Sequence, residues 1–290
     1  MGDDCALLRP DAGLELAVTT DMLVEGRHFL PGADARLLGH KALAVNLSDL
    51  AAMGAAPRWA TLSLGLVAAD EAWLAGFSKG FFALAERHGV DLVGGDTTRA
   101  RLLTISVTAM GEVPAGLALV RAGARTGDDV WVSGELGGAA LALVHPEIAE
   151  AAQRLHQPEP RVELGERLRG LAHAAIDISD GLAGDLQHIL VRSGVSAVVY
   201  YGQIPRPPAF GRLGNPQLEK DCVLSGGDDY ELLFTAAADR RSDLEALARE
   251  LKTPLTRIGS IASGAPKLTV LDEDGRPLAY RAGFDHFAAG

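Results

Sequence analysis

The sequence predicts an α+β protein built as two halves, and three observations lead to this prediction. The chain has 290 residues, which favours two domains of ordinary size over one. Alternating strand and helix patterns stop near Pro114 and begin again after it. The phrase Gly-Gly-Asp occurs once in each half, at 94–96 and 226–228. We divide the chain into a domain over 1–118 and a second over 119–290.

The first half is predicted to contain four strands and two helices. Short alternating or apolar runs indicate the strands, and an apolar stripe at helical spacing indicates the helices. Asp70 suits the N-cap of the second helix and Gly89 its end. Asn46 and Asp49 lie one turn apart on the first helix. The predicted order is strand 14–18, helix 37–53, strand 63–67, helix 70–89, and strands 90–95 and 102–113.

The second half again alternates strands and helices, which differ in length from those of the first half. A proline-rich loop over 205–216 precedes its last strand–helix pair, and an Asp-Gly turn near the C-terminus indicates a hairpin. Asp272 and Asp274 are interpreted as turn residues of that hairpin. The predicted order is strand 129–134, helix 163–175, strand 175–179, helix 181–194, strand 230–237, helix 242–252 and hairpin 267–280.

Composition limits the classes of partner. The chain is 48% hydrophobic and 22% charged, as in folded globular proteins. With 27 basic and 38 acidic side chains, its net charge of −11 argues against binding to nucleic acid or to an anionic membrane surface. Cys5 and Cys222 are interpreted as free thiols. No apolar run is long enough to span a membrane and the start lacks a signal peptide pattern, so we expect a cytoplasmic protein.

Acidic residues recur where predicted strands end or helices begin. Each has a structural alternative: Asp180 could cap the helix that starts at Gly181, and Asp96 could belong to a turn. As a set they are flanked by glycine or hydroxyl residues, so converging carboxylates would repel each other unless cations neutralised them. Oxygen ligands alone point to Mg²⁺ or Ca²⁺ rather than zinc. These acids are Asp3, Asp4, Asp21, Asp49, Asp96, Asp177, Asp180, Asp228, Asp229 and Glu231.

The usual nucleotide-binding signatures are missing from the sequence. It has no G-x-x-x-x-G-K-[ST], no G-x-G-x-x-G after a strand and no protein-kinase H-R-D or D-F-G. A bound nucleotide would therefore be held by metals and backbone amides, helped by Arg121 or Arg99. In "VGGDTTR", Gly95 would let the backbone approach phosphate and Asp96 would hold the cation.

In their residues and in their order along the chain, the motifs resemble those of the thiamine-monophosphate kinase family, within the superfamily of aminoimidazole ribonucleotide synthetase. The matching phrases run from residue 2 to 287. They are "GDDCA", "TTDMLVEGRHF", "KALAVNLSDLAAMGA", "GGDTTR", "RAGARTGD", "AIDISDGL", "SGGDDYELLF" and "GFDHF". The resemblance implies a two-domain fold of that superfamily, in which a mixed or antiparallel N-terminal sheet domain dimerises and an α/β sandwich domain follows. It also implies a homodimer.

The resemblance further implies an activity and a set of site residues. The activity is ATP-dependent phosphorylation of thiamine monophosphate, by direct in-line transfer that several Mg²⁺ ions assist, with no covalent enzyme intermediate. Metal-mediated catalysis would fall on Asp49, Asp96 and Asp180. The full metal set would be Asp4, Thr19, Thr20, Asp21, Asp49, Asp96, Asp177 and Asp180. ATP contacts would fall on Gly95, Asp96, Arg121 and Ser179, and substrate contacts on His28, Glu231 and Phe284.

Two alternatives remain open from the sequence. The chain could be another ATP-dependent synthetase of the superfamily, or a noncatalytic protein that binds metal or nucleotide. One departure bears on the second alternative: family members have a helix and a strand before the "GDD" motif, which here begins at residue 2. We expect the lack of that segment to expose a strand edge or to weaken the ATP site.

Overall fold

The computed structural model describes residues 5–281 of the chain, and its first half forms one mixed sheet with two helices. In the sheet order β1-β4-β2-β3, β4 is antiparallel to both β1 and β2, while β2 and β3 are parallel. The elements are β1 (Leu14–Val24), α1 (Ala35–Ala52), β2 (Ala56–Leu66), α2 (Glu71–His88), β3 (Asp91–Arg99) and β4 (Thr104–Pro114).

The second half forms a six-stranded sheet with helices. Its strand order is β10-β7-β9-β5-β8-β6, and all neighbours are antiparallel except β10 and β7. The strands are β5 (Asp129–Ser133), β6 (Ala172–Asp177), β7 (Ser196–Tyr200), β8 (Leu232–Ala236), β9 (Leu255–Ala262) and β10 (Leu268–Leu271). The helices are α3 (Gly138–Val144), α4 (Ala149–His156), α5 (Val162–Leu168), α6 (Leu182–Ser193), α7 (Ala209–Leu213), α8 (Pro216–Ser225) and α9 (Arg241–Leu251).

Helix α1 lies between the halves, in a hydrophobic core to which residues of both halves contribute. It contacts β1 and β4 of the first sheet, and also α5 and β6 of the second half. Because the helix is buried on nearly all sides, its polar residues Lys41, Asn46 and Ser48 are buried too. Buried polar groups need partners, and the partners of these three side chains lie on other elements or on the preceding turn of the helix.

The two helices of the first half cross at glycine contacts. A Cβ atom added at Gly80 of α2 would overlap the carbonyl oxygen of Arg36 on α1, and one at Gly39 would overlap that of Phe77. The helix backbones therefore touch at a separation that only glycine allows. This contact places α1 against the sheet and so sets the position of the side chains that it carries.

We expect Gly80→Ala to lower the free energy of unfolding by about 2–3 kcal/mol, because the added methyl group forces the helices apart. Urea unfolding measures the change. Gly211→Ala is the matched control, since a Cβ at Gly211 in helix α7 meets no atom within 4 Å. Equal stability of the two variants would contradict the close helix contact.

Several predicted elements are confirmed. Helix α2 begins after Asp70, whose side chain accepts N–H bonds from Ala72 and Trp73, and it ends at Gly89 in the left-handed region. Helix α6 likewise ends at Gly194. Near the C-terminus, Asp272 accepts backbone N–H bonds in a turn, and the returning chain adds a single bridge, between Leu271 and Pro277.

The helix predicted over 163–175 is wrong in its second part. Helix α5 ends at Leu168, and the buried strand β6 begins at Ala172. Gly170, with φ +76°, breaks the helix between them. The sequence interpretation also lacked β7, β9, α3, α4, α7 and α8.

The 118/119 boundary and the use of the first sheet for dimerisation stay predictions. Within residues 5–281, no helix is both long and apolar enough to cross a membrane.

Candidate active site between the two halves

Four carboxylates meet where the first sheet, helix α1 and the end of β6 come together. We call Asp21, Asp49, Asp177 and Asp180 the acidic cluster. Strand alternation turns Thr19 and Asp21 of β1 toward α1, where the Thr19 hydroxyl donates to the Asp49 carboxylate. The structure thus brings together the predicted metal residues Thr19, Asp21, Asp49, Asp177 and Asp180 from separate parts of the chain.

Buried polar groups of α1 hold two members of the cluster in place. The Asn46 side-chain oxygen accepts the backbone N–H of Asp21 at 3.1 Å, and its amide donates to the Ala42 carbonyl oxygen at 3.1 Å. The Ser48 hydroxyl donates to Asp177 Oδ2 at 2.7 Å, in a fully buried contact. Both strands are thereby fixed to the central helix at the point where the carboxylates meet.

Burial raises the pKa of three members of the acidic cluster. Burial, and then the charges of Asp49 and Asp180, raise the pKa of Asp21 to about 7. Burial, and then the charge of Asp49, raise the pKa of Asp177 well above its usual value. Burial also raises the pKa of Asp49, although the Thr19 hydrogen bond and the Arg121 charge oppose it. Such carboxylates gain stability when a cation approaches.

Asp180 reaches the cluster from a turn that a second buried acid shapes. Its possible role as N-cap of α6 is wrong, because Gly181 occupies that position without a side-chain cap. Asp185 Oδ2 instead accepts the backbone N–H groups of Ser179 and Asp180, both at 3.1 Å. Burial raises the pKa of Asp185 to about 7. Asp185 was not among the predicted site residues.

Two cavities open on either side of the acidic cluster. One, of about 590 Å³, is lined by Thr19, Asp49 and Asp177 on one wall and by Arg121, His188 and Arg192 on another. We call it the cationic cavity. The Arg121 loop is fixed by Ser193, whose hydroxyl donates to the Arg121 carbonyl oxygen at 3.2 Å and accepts the Gly123 N–H at 3.1 Å.

The second cavity continues into an apolar one. The acidic cavity, of about 590 Å³, is lined by Asp21, Ser179, Asp180 and Asp228. The adjoining apolar cavity, of about 390 Å³, is lined mainly by carbon atoms of Phe29, Leu30, Leu38, Leu143 and Leu155. The two cavities share His28, whose Nδ1 accepts the backbone N–H of Val24 at 3.0 Å.

Two predicted site residues lie away from the cluster in the same chain. Thr20 is on the outer face of the sheet, where its hydroxyl bonds to that of Thr108 at 2.7 Å. Asp96 is exposed on β3, and the register Met22–Ser106–Ser63–Asp96 puts it on that outer face, about 14 Å from β1. Within one chain, Asp96 therefore lies apart from the acidic cluster, and its role as a metal ligand stays a prediction.

Gly95 has a packing role in this strand. With φ +152°, it lies so close to β2 that an added Cβ would overlap the Leu62 carbonyl oxygen. The glycine is needed for the approach of two strands, whether or not phosphate also approaches it. Its contact with ATP stays a prediction.

The three predicted substrate residues differ in their positions relative to the cavities and to the described part of the chain. His28 lines the acidic and apolar cavities. Glu231, a predicted substrate contact, is 2% exposed and pairs with Arg161, with Oε2 2.7 Å from Nε and Oε1 2.5 Å from Nη2. The Ser133 hydroxyl also donates to it, at 2.5 Å. Phe284, like the predicted metal ligand Asp4, lies outside the described residues.

Comparisons with known proteins decide the family. The N-terminal domain model of AIR synthase related proteins matches residues 2–113, and the C-terminal domain model matches 125–270. The chain is 43% identical over 299 residues to the thiamine-monophosphate kinase of Salmonella typhimurium, an alignment that covers 99% of this chain and 91% of the relative. The chain belongs to the thiamine-monophosphate kinase family.

Solved structures of this kinase family have the same fold. The thiamine-monophosphate kinase from Stenotrophomonas maltophilia superposes with a TM-score of 0.89 at 50% identity, covering 96% of this chain and 90% of that one. AaThiL complexed with AMPPCP and TMP superposes with a TM-score of 0.83 at 32% identity, covering 99% and 92%. The predicted two-domain superfamily fold is confirmed.

The sequence of this kinase family member did not reveal the residues that hold the site residues in place. Lys41, Asn46, Ser48 and Asp185 act through contacts with distant parts of the chain, which one sequence does not reveal. One signal was available. A lysine, an asparagine and a serine along a helix with no polar face must find buried partners, and this points to a polar network.

Proposed function

We propose that this chain transfers the γ-phosphoryl group of ATP to the phosphate of thiamine monophosphate, giving ADP and thiamine diphosphate. The observation that carries the proposal is the acidic cluster between two cavities of different chemistry. The cationic cavity suits the ATP phosphates. With cations bound to its carboxylates, the acidic cavity and its apolar extension suit a phosphate attached to a ring system. Relatives of 40–43% identity over 99% of the chain bear the name thiamine-monophosphate kinase.

In this proposal, the protein brings two anionic groups together in line and removes no proton. The acceptor phosphate oxygen is already ionised at neutral pH, so attack on the γ-phosphorus needs no general base and forms no covalent enzyme intermediate. Arg121, in the cationic cavity, would bind the ATP phosphates. The Ser179 hydroxyl, in the turn held by Asp185, would contact phosphate from the other side.

The chemistry of the donor set suits Mg²⁺. Asp21, Asp49, Asp177 and Asp180, with the Thr19 hydroxyl, would hold the ions, and a bound ion would neutralise charge on the transferring phosphoryl group. The pKa values of Asp21, Asp49 and Asp177, raised first by burial, mark carboxylates that a cation stabilises. Within residues 5–281, no three His, Cys, Asp or Glu side chains form a ready metal-binding group. We therefore expect substrate phosphates and water to complete the coordination.

We expect Mg²⁺ to stabilise the folded chain. At about 100 times its dissociation constant, an ion that binds only the folded state adds about 2.7 kcal/mol, a rise on the order of 5 °C in the unfolding midpoint. Differential scanning calorimetry with Mg²⁺ and ATP, against EDTA and ATP, measures it. The Asp49→Asn variant serves as the control, with a much smaller rise expected. Equal rises in both proteins would remove Asp49 from the ion site.

We further propose a homodimer in which Asp96 of one subunit completes the site of the other. Asp96 lies on the outer face of the first sheet, the face that also exposes Val18 and Met22 at 57% and 56%. Pairing two copies through this face would cover those apolar side chains. It would also bring β3 of one copy toward β1 of the other, the strand that carries Asp21 on its inner face.

The direct test is an assay of the purified chain with ATP, Mg²⁺ and thiamine monophosphate. We expect thiamine diphosphate and ADP in equal amounts, separated by chromatography. No product, with calorimetric binding of ATP–Mg²⁺ intact, would favour the noncatalytic alternative. ATP turnover with an aminoimidazole precursor, and none with thiamine monophosphate, would instead favour another synthetase of the superfamily.

A further inference from the structure

Helices α3 and α4 form one wall of the apolar cavity, and we call this pair of helices the helical wall. Leu143 of α3 and Leu155 and His156 of α4 line the cavity, together with Leu38 of α1. The two helices pack against each other, and α4 also contacts α1. The position of α4 therefore affects the width of the apolar cavity.

A buried ion pair ties the chain just after the helical wall to the second sheet. Arg161, the residue before α5, donates from Nε to Glu231 Oε2 at 2.7 Å and from Nη2 to Oε1 at 2.5 Å. Glu231 directly precedes β8, and its carbonyl oxygen accepts the N–H of Ile178 at 2.8 Å. Because the side chains share two hydrogen bonds, the contact fixes the orientation of Arg161 as well as its distance.

Arg154 makes a second connection, from within α4. Its Nη1 lies 3.9 Å from Glu231 Oε1, and its Nη2 donates to Glu135 Oε2 at 2.8 Å. A Cβ atom added at Gly138, the first residue of α3, would lie 2.5 Å from Arg154 Cδ. Arg154 therefore packs against the start of α3 while its guanidinium lies beside Glu231, so both helices of the wall are connected to one carboxylate.

The Glu231 carboxylate has little freedom to move. Glu231 is 2% exposed, and the Ser133 hydroxyl donates to Oε2 at 2.5 Å while it accepts the N–H of Leu232 at 2.9 Å. A Cβ atom added at Gly134 would lie 2.0 Å from Glu231 Oε1, so even a methyl group would not fit there. A carboxylate enclosed in this way is a rigid point of attachment for the two arginines.

We propose that Glu231 is a positioning residue that, through Arg161 and Arg154, holds the helical wall at the width that the ring of the substrate requires. This inference rests on the proposed function, which supplies the ring. Glu231 would not touch the substrate, because the arginines and Ser133 already occupy its carboxylate. Among the described residues that line the cationic cavity, none belongs to α3 or α4, so the effect is confined to the substrate side.

The first test is the affinity of Glu231→Gln for each ligand. We expect the dissociation constant of thiamine monophosphate to rise at least about tenfold, because a displaced wall packs poorly against the ring. The dissociation constant of the ATP analogue AMPPCP with Mg²⁺ should stay within about twofold of the wild-type value, since its cavity lies apart from the wall. Calorimetry with each ligand alone measures both constants without turnover.

Two variants separate positioning from folding. Glu250→Gln in α9 is the matched control: Glu250 makes a two-point pair with Arg167 of α5, but that pair is exposed, so both affinities should stay at the wild-type value. Glu231→Gln/Arg161→Met removes both charges of the buried pair, so it should unfold at a higher temperature than Glu231→Gln. Its affinity for thiamine monophosphate should stay low, since no ion pair holds the chain after α4.

Hydrogen exchange tests the helical wall without any ligand. We expect the backbone amides of α3 and α4 to exchange at least about tenfold faster in Glu231→Gln than in the wild-type chain, because both helices lose their connection to β8. The amides of α2, in the first half, are the internal reference and should change little. Mass spectrometry of peptides from the three helices measures the rates.

The outcomes distinguish this inference from the proposed function. Unchanged affinity for thiamine monophosphate in Glu231→Gln, or affinity that recovers with the unfolding temperature in the double variant, overturns the positioning role. Exchange that rises equally in α2 and in the helical wall overturns it too. A wild-type chain that does not bind thiamine monophosphate overturns the proposed function, and the exchange rates alone then decide the role of Glu231. Weak substrate binding in both Glu231 variants, with fast exchange confined to the helical wall, supports the inference.

Discussion

Replacing Asp49 by asparagine is expected to lower kcat for thiamine diphosphate formation on the order of 10³-fold. Asp49 belongs to the acidic cluster, and its carboxylate accepts a hydrogen bond from the Thr19 hydroxyl. After burial, the charge of Asp49 is the next cause that raises the pKa of both Asp21 and Asp177. The substitution keeps the shape of the side chain and removes its charge. A cation shared between the cluster and the phosphates would then lose one of its ligands.

Stability should move little or rise in this variant, because asparagine ends the repulsion that Asp49 exerts on its neighbours. Steady-state assays and thermal unfolding of the same preparation measure the two quantities. Asp91→Asn, at the exposed start of β3, controls for loss of one negative charge. Near-normal turnover would remove Asp49 from the site, and a large fall in the unfolding midpoint would make its role structural.

The second large effect concerns Asp96. The single variants Asp49→Asn and Asp96→Asn should each be nearly inactive as homodimers. Co-expression with two affinity tags and purification on both yields the mixed dimer. In it, one site combines both substitutions and the other has neither, so about half of the wild-type activity per dimer should return.

This result depends on Asp96 acting across the subunit interface. If Asp96 served the site of its own chain, both sites of the mixed dimer would carry one substitution and activity would stay low. An active Asp96→Asn homodimer would show that the residue is not needed at all. Failure to recover any doubly tagged protein would contradict the proposed dimer. A doubly tagged wild-type dimer gives the reference activity.

The parts of the fold that sequence predicted well depend on local signals. Helix α2 has a side-chain cap at Asp70 and a left-handed glycine at Gly89, and both act within one turn of the helix end. The boundary after Leu168 was missed because a short buried strand has the same apolar residues as a buried helix. Gly170 carried the deciding information, but its positive φ is visible only in the structure.

The same distinction, between signals local in the sequence and contacts seen only in the structure, applies to the candidate site. The motif resemblance indicated Asp21, Asp49 and Asp177, and the structure brings them together. It did not indicate that Glu231 would be enclosed by Arg161, because that ion pair joins residues 70 positions apart in the chain. Nor could it separate Asp96 from the others, since only strand order and register place it on the opposite edge and face of the sheet.

The position of α1 also limits how the protein can move during a catalytic cycle. Many two-domain enzymes admit substrates by rotating rigid domains about a hinge, but here one hydrophobic core around α1 contains residues of both halves, and such a rotation would divide it. Gating therefore falls to shorter segments at the rim. The segment from Glu25 to Asp34, which carries His28 and lines the apolar cavity, connects β1 to α1. Its Phe29 packs against the core, so we expect the residues around Phe29, and not Phe29 itself, to shift. Turnover in this fold would then be timed by a loop at the cavity mouth rather than by the halves themselves.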